Sequence, residues 1–174
     1  TTGYYLKKYV NNTISFEAGS TVTKKQHNWV LFRYGEILLN YAEAMINAFH
    51  DPNYKDAVYN MSAREAVNQI RGRTNISLPG FPSDITEKDF VKRLKNERRV
   101  ELAFEGHRFW DVRRWKELGQ TANIYGVKIT ENNEVISYEK FLLETRAVTD
   151  NMYFYPIPNT ERFKNPNLGQ NPGW

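Results

Sequence analysis

The sequence predicts a mainly α fold, in which helical hairpins are joined by irregular loops and followed by a few short β-strands. Three observations carry this. Between Trp29 and Phe49, the residues Ile37, Leu38, Tyr41, Ala44 and Met45 recur at spacings of three and four, the mark of one buried helical stripe. Ser62 and Glu65 stand in the S-x-x-E spacing of a capping box, in which each side chain ties down a free amide at a helix start. The stretch Lys95–Lys116, KNERRVELAFEGHRFWDVRRWK, interleaves charges with aromatic residues and breaks once, at Gly106, as two helices joined by a turn would.

Taken in order, residues 1–28 are polar and irregular. Tyr4, Tyr5, Leu6 and Tyr9 are packing points there, and the β-branched and aromatic residues suit short extended pieces. The first helix runs Trp29–Phe49 and is stopped by Asp51-Pro52, because a residue before proline avoids helical backbone. The second, Ser62–Arg73, turns Ala66, Val67 and Ile70 inward; Gly72 weakens its end, and Leu78-Pro79-Gly80-Phe81-Pro82 reads as a loop. Thr86 caps the third, which extends to Glu105 with Asp89 in its first turn and Phe90, Leu94 and Phe104 as apolar contacts. The fourth helix is Arg108–Leu118, ending at Gly119. Residues 29–118 are thus the helical part of a single domain spanning 1–174. In residues 119–174, Val127–Thr130 and Glu134–Tyr138 flank Asn132-Asn133 as a hairpin, and Met152–Tyr155 reads as a short strand. The tail carries four prolines, so no regular element is expected of it; Leu168 and Trp174 would pin it onto the helices.

A chain of 174 residues with 40% hydrophobic and 14% aromatic content belongs among folded domains. No apolar run approaches the roughly 18 residues of a membrane span, and the opening TTGYYLKKYV lacks the basic-then-apolar pattern of a secretory leader. With no cysteine there is no disulfide, thiolate or Cys-metal chemistry. A net charge of +4 and a pI near 9.2 raise the question of nucleic acid. The basic residues alternate with acids rather than cluster, and no recognition motif accompanies them, so no nucleic-acid partner is expected.

Glu97, Glu101 and Glu105 lie at i, i+4 and i+8 on one helix face. Paired carboxylates can cleave glycosides, but neighbouring arginines would hold these ionised, where a general acid needs a raised pKa. Residues on one face also stand beside one another, not across a substrate. Structural pairing with Arg108, Arg113 and Arg114 is the expectation, since the planar guanidinium grips a carboxylate through two hydrogen bonds. His27, His50 and His107 lack metal-ligand spacing, and no glycine-rich phosphate loop is present. No catalytic residue, metal or cofactor is expected. The aromatics are the binding candidates: sugars present flat C–H faces that stack on Trp or Tyr, while Asn, Gln or Arg read the hydroxyls. Most must be core, with Trp110 and Trp115 in the charged hairpin and Tyr41 on its stripe. Tyr4, Tyr5, Trp29 and Tyr125, in non-helical segments or at a helix start, are the ligand-contact candidates.

Four stretches, in order, resemble the SusD/RagB family. ERRVELAFEGHRFWDVRRW is similar to its helical signature, and FRYGEILLNYAEAMI to its Arg-containing amphipathic helix. AVNQIRGRTNI is similar to its Asn-x-x-Arg-x-Arg helix end, and YPIPNTERFKNPNLGQNPGW resembles its C-terminal tail; TGYYLKKY at Thr2–Tyr9 fits more loosely. The resemblance implies tetratricopeptide-like helical hairpins, a feature no 34-residue self-repeat reveals here. It implies non-catalytic capture of a polysaccharide or oligosaccharide, in some members peptide, beside a SusC-like TonB-dependent outer-membrane transporter. It further implies a surface-exposed outer-membrane lipoprotein, of which this chain is the C-terminal portion and whose lipidated Cys anchor lies elsewhere. A helical protein-interaction scaffold is the alternative, and a glycoside hydrolase a distant third. Three departures from the pattern are Gly35, where the signature helix usually has Ala at a helix-propensity advantage of about 1 kcal/mol, Trp174, where Tyr is usual, and Arg162-Phe163, in place of a commoner aliphatic step after Glu161. Gly35 would let a neighbouring helix approach closely.

Overall fold

The computed structural model describes residues 2–4, 6–11, 13–14, 19, 26, 28, 30–132 and 134–174. Tyr5, His27, Trp29 and Asn133 lie outside the described residues. The fold is mainly helical, as the sequence predicts: α1 is Tyr34–Phe49, α2 Ala63–Arg71, α3 Glu87–Glu101, α4 His107–Arg114 and α5 Asn159–Lys164. Among the described residues, one antiparallel two-stranded sheet joins β1, Asn123–Asn132, to β2, Val135–Thr145. Short 3-10 turns occupy Leu118–Thr121 and Asp150–Tyr153. The chain divides into two compact units, one of Gln26–Arg108 and the other of Thr1–Lys25 with Phe109–Trp174.

The helical unit is built on α1, which packs against both α2 and α3. α1 begins at Tyr34, later than predicted, because Arg33 before it is extended (φ −144°, ψ 154°) and its guanidinium is engaged elsewhere. The buried stripe is Leu38, Leu39, Ala42, Met45 and Ile46, rotated from the predicted one: Ile37 is half exposed and Ala44 exposed. The run Ile37-Leu38-Leu39 fits two helical phases, and the one adopted places Ala42 and Ile46 inward with the two leucines. The helix stops at His50, in left-handed backbone (φ 55°), just before Asp51-Pro52.

α2 realises the predicted capping box: Glu65 N donates to Ser62 Oγ at 3.2 Å, and Ser62 N donates to Glu65 Oε2 at 2.8 Å. Ala63, Ala66, Val67 and Ile70 are buried on its inner face. Thr86 caps α3 through the Asp89 amide, and Phe90 and Leu94 are buried as expected. α3 ends at Glu101 instead of Glu105, and Phe104 is not an apolar contact: it sits at φ 63° in the closing turn and is 69% exposed. Leu102 takes the buried place instead. Phe81 and Ile85 from the loop complete a core that joins all three helices, with Phe81 edge-on to Phe90 at 5.8 Å. Each such fully buried large side chain contributes about 1.5–3 kcal/mol.

In the other unit the hairpin is longer than predicted, pairing Asn132 with Val135 next to its turn and Asn123 with Thr145 at its far end. Thr2 O accepts from Val127 N at 2.8 Å, and Gly3 packs so closely there that an added Cβ would lie 2.0 Å from Val127 O. Met152–Tyr155 is not a strand. Met152 N and Phe154 N bond locally to Thr149 O and Asn151 O, giving a 3-10 turn that ends in extended Phe154. The tail does hold one regular element, contrary to expectation: Pro158 and Pro166 bracket a proline-free gap in which α5 forms, and Pro158 (φ −55°) is shaped for a helix start. α4 stops at Arg114, and Leu118 is buried in the following 3-10 turn.

Candidate functional site

The signature glutamates are clasped by three arginines from upstream, Arg33, Arg71 and Arg73. Arg33 Nε and Nη2 donate to the two Glu105 carboxylate oxygens at 2.7 and 2.9 Å, and its Nη1 to Glu101 Oε1 at 2.5 Å. Arg73 grips Glu101 through two bonds of 2.9 and 2.8 Å, and Arg71 reaches Glu97 at 2.5 Å. Burial disfavours charge on Arg33, but hydrogen bonds and charge from Glu105 and Glu101 outweigh it and raise its pKa above the ordinary arginine value. Gly35 makes room for this clasp rather than for a neighbouring backbone, since a Cβ there would meet Arg33 Nη1 at 2.9 Å and Glu101 Oε1 at 3.4 Å. Asn68 of the same motif holds the loop: Phe81 N donates to its Oδ1 at 2.6 Å. The carboxylate series is thus a bracket joining three helix ends.

Among the sequence candidates, Tyr4 is 63% and Tyr125 43% exposed, both in the unit that carries the hairpin. The Lys140 ammonium lies 4.0 Å from the Tyr125 ring centre, a cation–π contact that steadies the ring. Tyr5 and Trp29 fall outside the described residues.

The sequence reading missed a cleft and misplaced one of its residues. Trp110 is not core; it is 60% exposed. α4 has a single aliphatic residue, Val112, which is buried together with Asp111, and this sets the phase of the helix. Trp110, Arg113 and Arg114, at i, i+3 and i+4, then share the outer face. Asp111 Oδ1 accepts from Arg114 Nε at 3.0 Å. The Arg113 guanidinium lies 3.5 Å above the Phe109 ring and donates to Phe109 O at 2.9 Å. Phe109 packs edge-on to Trp110 at 5.0 Å and stacks on Tyr155 at 5.7 Å. Trp110, Arg113, Arg114 and Lys116, with Asp150, Tyr153, Phe154 and Tyr155, line a hollow of about 840 Å³, and a smaller one of about 330 Å³ shares Arg113, Phe154 and Tyr155.

The tail fixes the wall of this cleft. Ile157 lies between two prolines and cannot join a sheet, yet Gln170 satisfies both of its backbone groups, accepting from Ile157 N at 2.7 Å and donating to Ile157 O at 3.0 Å. Asn171 Nδ2 donates to Tyr155 O at 2.6 Å. Trp174 does pin the tail, though to the turn rather than the helices: its indole N–H is shared between Asn151 O at 3.0 Å and Phe154 O at 3.2 Å.

Comparison with known proteins agrees with this architecture. The family model for the SusD family matches residues 1–174. SusD-like protein P2 of Formosa agariphila is 29% identical over 163 residues, covering 90% of this chain and 28% of that protein. SusD-like protein P38 of the same organism is 37% identical over 91 residues, covering 49% of this chain and 16% of its own length. A crystal structure of a SusD-like protein from Bacteroides fragilis superposes with a TM-score of 0.68 at 33% identity, over 84% of this chain and 26% of that one. The chain therefore spans under a third of the length of these relatives. Matched from end to end by the family model, it belongs to the SusD family.

Proposed function

We propose that this chain is part of a non-catalytic nutrient-capture protein of the bacterial outer membrane, which binds oligo- or polysaccharide and delivers it to a SusC-like TonB-dependent transporter. The observation that carries the reading is family membership along the whole chain. Two features of the molecule support it. Glu97, Glu101 and Glu105 are engaged by arginines, an arrangement that suits packing rather than proton transfer to a substrate. Tyr4 and Tyr125 stand exposed outside the helices, and Tyr4, Tyr5, Trp29 and Tyr125 are the proposed ligand contacts. Attachment to the membrane would be through a lipid anchor; among the described residues no helix is long and apolar enough to cross a membrane.

Affinity gel electrophoresis and calorimetry against plant, host and microbial polysaccharides test the reading. Retardation by at least one glycan is expected, weakened by Tyr125→Ala, Tyr4→Ala or Trp29→Ala, with no reducing ends released. Retardation by no glycan would refute glycan capture and favour a peptide ligand. Release of reducing sugar would refute the non-catalytic assignment.

A further inference from the structure

We infer that the cleft between α4 and the Asp150–Tyr155 segment is a subsite for sugars that carry an anionic group, a carboxylate or a sulfate; this rests on the glycan-capture reading above. Three observations converge on it. The first is shape. The hollow, about 840 Å³, lies in the range of ligand pockets, and Trp110 and Tyr155 are each about 60% exposed along it, offering ring faces to sugar C–H groups.

The second is charge. Arg113, Arg114 and Lys116 line the cleft against one acid, Asp150. Arg114 is taken up by Asp111. Among the described residues neither Arg113 nor Lys116 has a carboxylate partner, and Arg113 is already oriented by the Phe109 ring and carbonyl. A guanidinium has five N–H donors, so one bond to Phe109 O leaves a fork for an incoming anion.

The third is backbone. α4 closes in a Schellman turn: Glu117 N donates to Val112 O at 2.7 Å and Lys116 N to Arg113 O at 3.0 Å. Lys116 occupies its left-handed position, at φ 56°, where glycine is the residue the backbone favours. What lysine adds there is its ammonium at the cleft edge.

The test uses matched pairs of probes, dextran with dextran sulfate and galactan with polygalacturonate, by affinity electrophoresis and calorimetry on the 174-residue chain. The charged member of at least one pair should bind about tenfold tighter or more, with the preference shrinking as salt rises. Which pair responds tells sulfate from carboxylate. Lys116→Gln should cost that preference about tenfold, while Lys116→Arg retains it, and Trp110→Ala should weaken binding of both members about tenfold. Both side chains are exposed, so circular dichroism should show unchanged folding. Lys116→Gly should raise the melting temperature and still lose the anionic preference, a split that a merely structural lysine would not give. Equal binding of neutral and charged members, or a preference that survives Lys116→Gln, overturns the inference and leaves glycan capture standing. Binding of no glycan at all overturns both together.

Discussion

Replacing Arg33 by alanine should open the clasp that joins three helix ends. Arg33 donates four hydrogen bonds, two to the Glu105 carboxylate, one to the Glu101 carboxylate and one to Glu101 O. Breaking a fully buried pair costs about 3–5 kcal/mol. Here the Arg33 side chain is 24% exposed and those of Glu101 and Glu105 are 13% and 12% exposed, so water recovers part of the loss. Glu101 also keeps the two-pronged grip of Arg73. The expected cost is therefore about 2–3 kcal/mol, or about 4–12 °C in melting temperature for a chain of this length. Urea denaturation followed by far-UV circular dichroism on Arg33→Ala, Glu105→Ala and the double variant gives the cost and the coupling, expected at about 1–2 kcal/mol. Arg33→Lys keeps the charge and loses the fork, so it should fall between wild type and alanine. A single-variant cost below about 0.5 kcal/mol, or a coupling near zero, would refute the reasoning, because the ion pairs would then be surface pairs of negligible weight.

Three further outcomes are expected. Phe90→Ala, at a position 0% exposed and in edge contact with Phe81, should cost about 3–5 kcal/mol in the same assay. Gln170→Ala removes both bonds to Ile157 and should cost about 1–2 kcal/mol, with faster hydrogen exchange at the Ile157 amide as its signature. The Glu65 carboxyl is held below its usual value by the hydrogen bond from Lys55 and then by the Ser62 amide, against a smaller effect of burial. Its contribution is present in full above the unfolded value of 4.5 and is lost as pH falls through the lower folded value. Acid titration of stability should accordingly be flatter in Glu65→Gln, and Ser62→Ala should cost about 1 kcal/mol near neutral pH.

Legibility followed how local each interaction is. The capping box, the Thr86 cap and the left-handed Gly106 (φ 82°) depend on residues within a turn of one another, and the sequence reading located all three. The phase of α1 is not legible because Ile37, Leu38 and Leu39 satisfy two stripes, and only packing against α2 and α3 chooses between them. The position of Trp110 is hidden for a related reason. A short helix with one aliphatic residue takes its orientation from Val112 and from the Asp111–Arg114 pair, and composition alone says little about either. The tail motif was recognised as a pattern, but its work is side chain to backbone: Gln170 serves both polar groups of a residue that two prolines keep out of any sheet. The four aromatic candidates of the sequence reading, Tyr4, Tyr5, Trp29 and Tyr125, were chosen for lying outside the helices. The cleft instead draws Trp110 from a helix and Tyr155 from the segment that follows a 3-10 turn.

The clasp also resolves an electrostatic conflict at two helix ends. Helix by helix, its charges are misplaced: Arg33 stands at the N-terminus of α1, where the dipole repels a cation, and Glu101 closes α3, where it repels an anion. Each error costs about 0.3–1 kcal/mol if the helix is considered alone. The pairing reverses the sign. Contact between Arg33 and Glu101 sets the start of α1 against the end of α3, so each charge meets the opposite pole of its partner helix. Arg33 Nη2 donates directly to Glu101 O, one of the terminal carbonyls that α3 cannot satisfy internally. Arg33 thus acts as a cap for α3 supplied from α1, in keeping with an α1 start that lacks a side-chain cap of its own. A reading confined to one helix sees two unfavourable ends, whereas the packed pair contains one favourable junction.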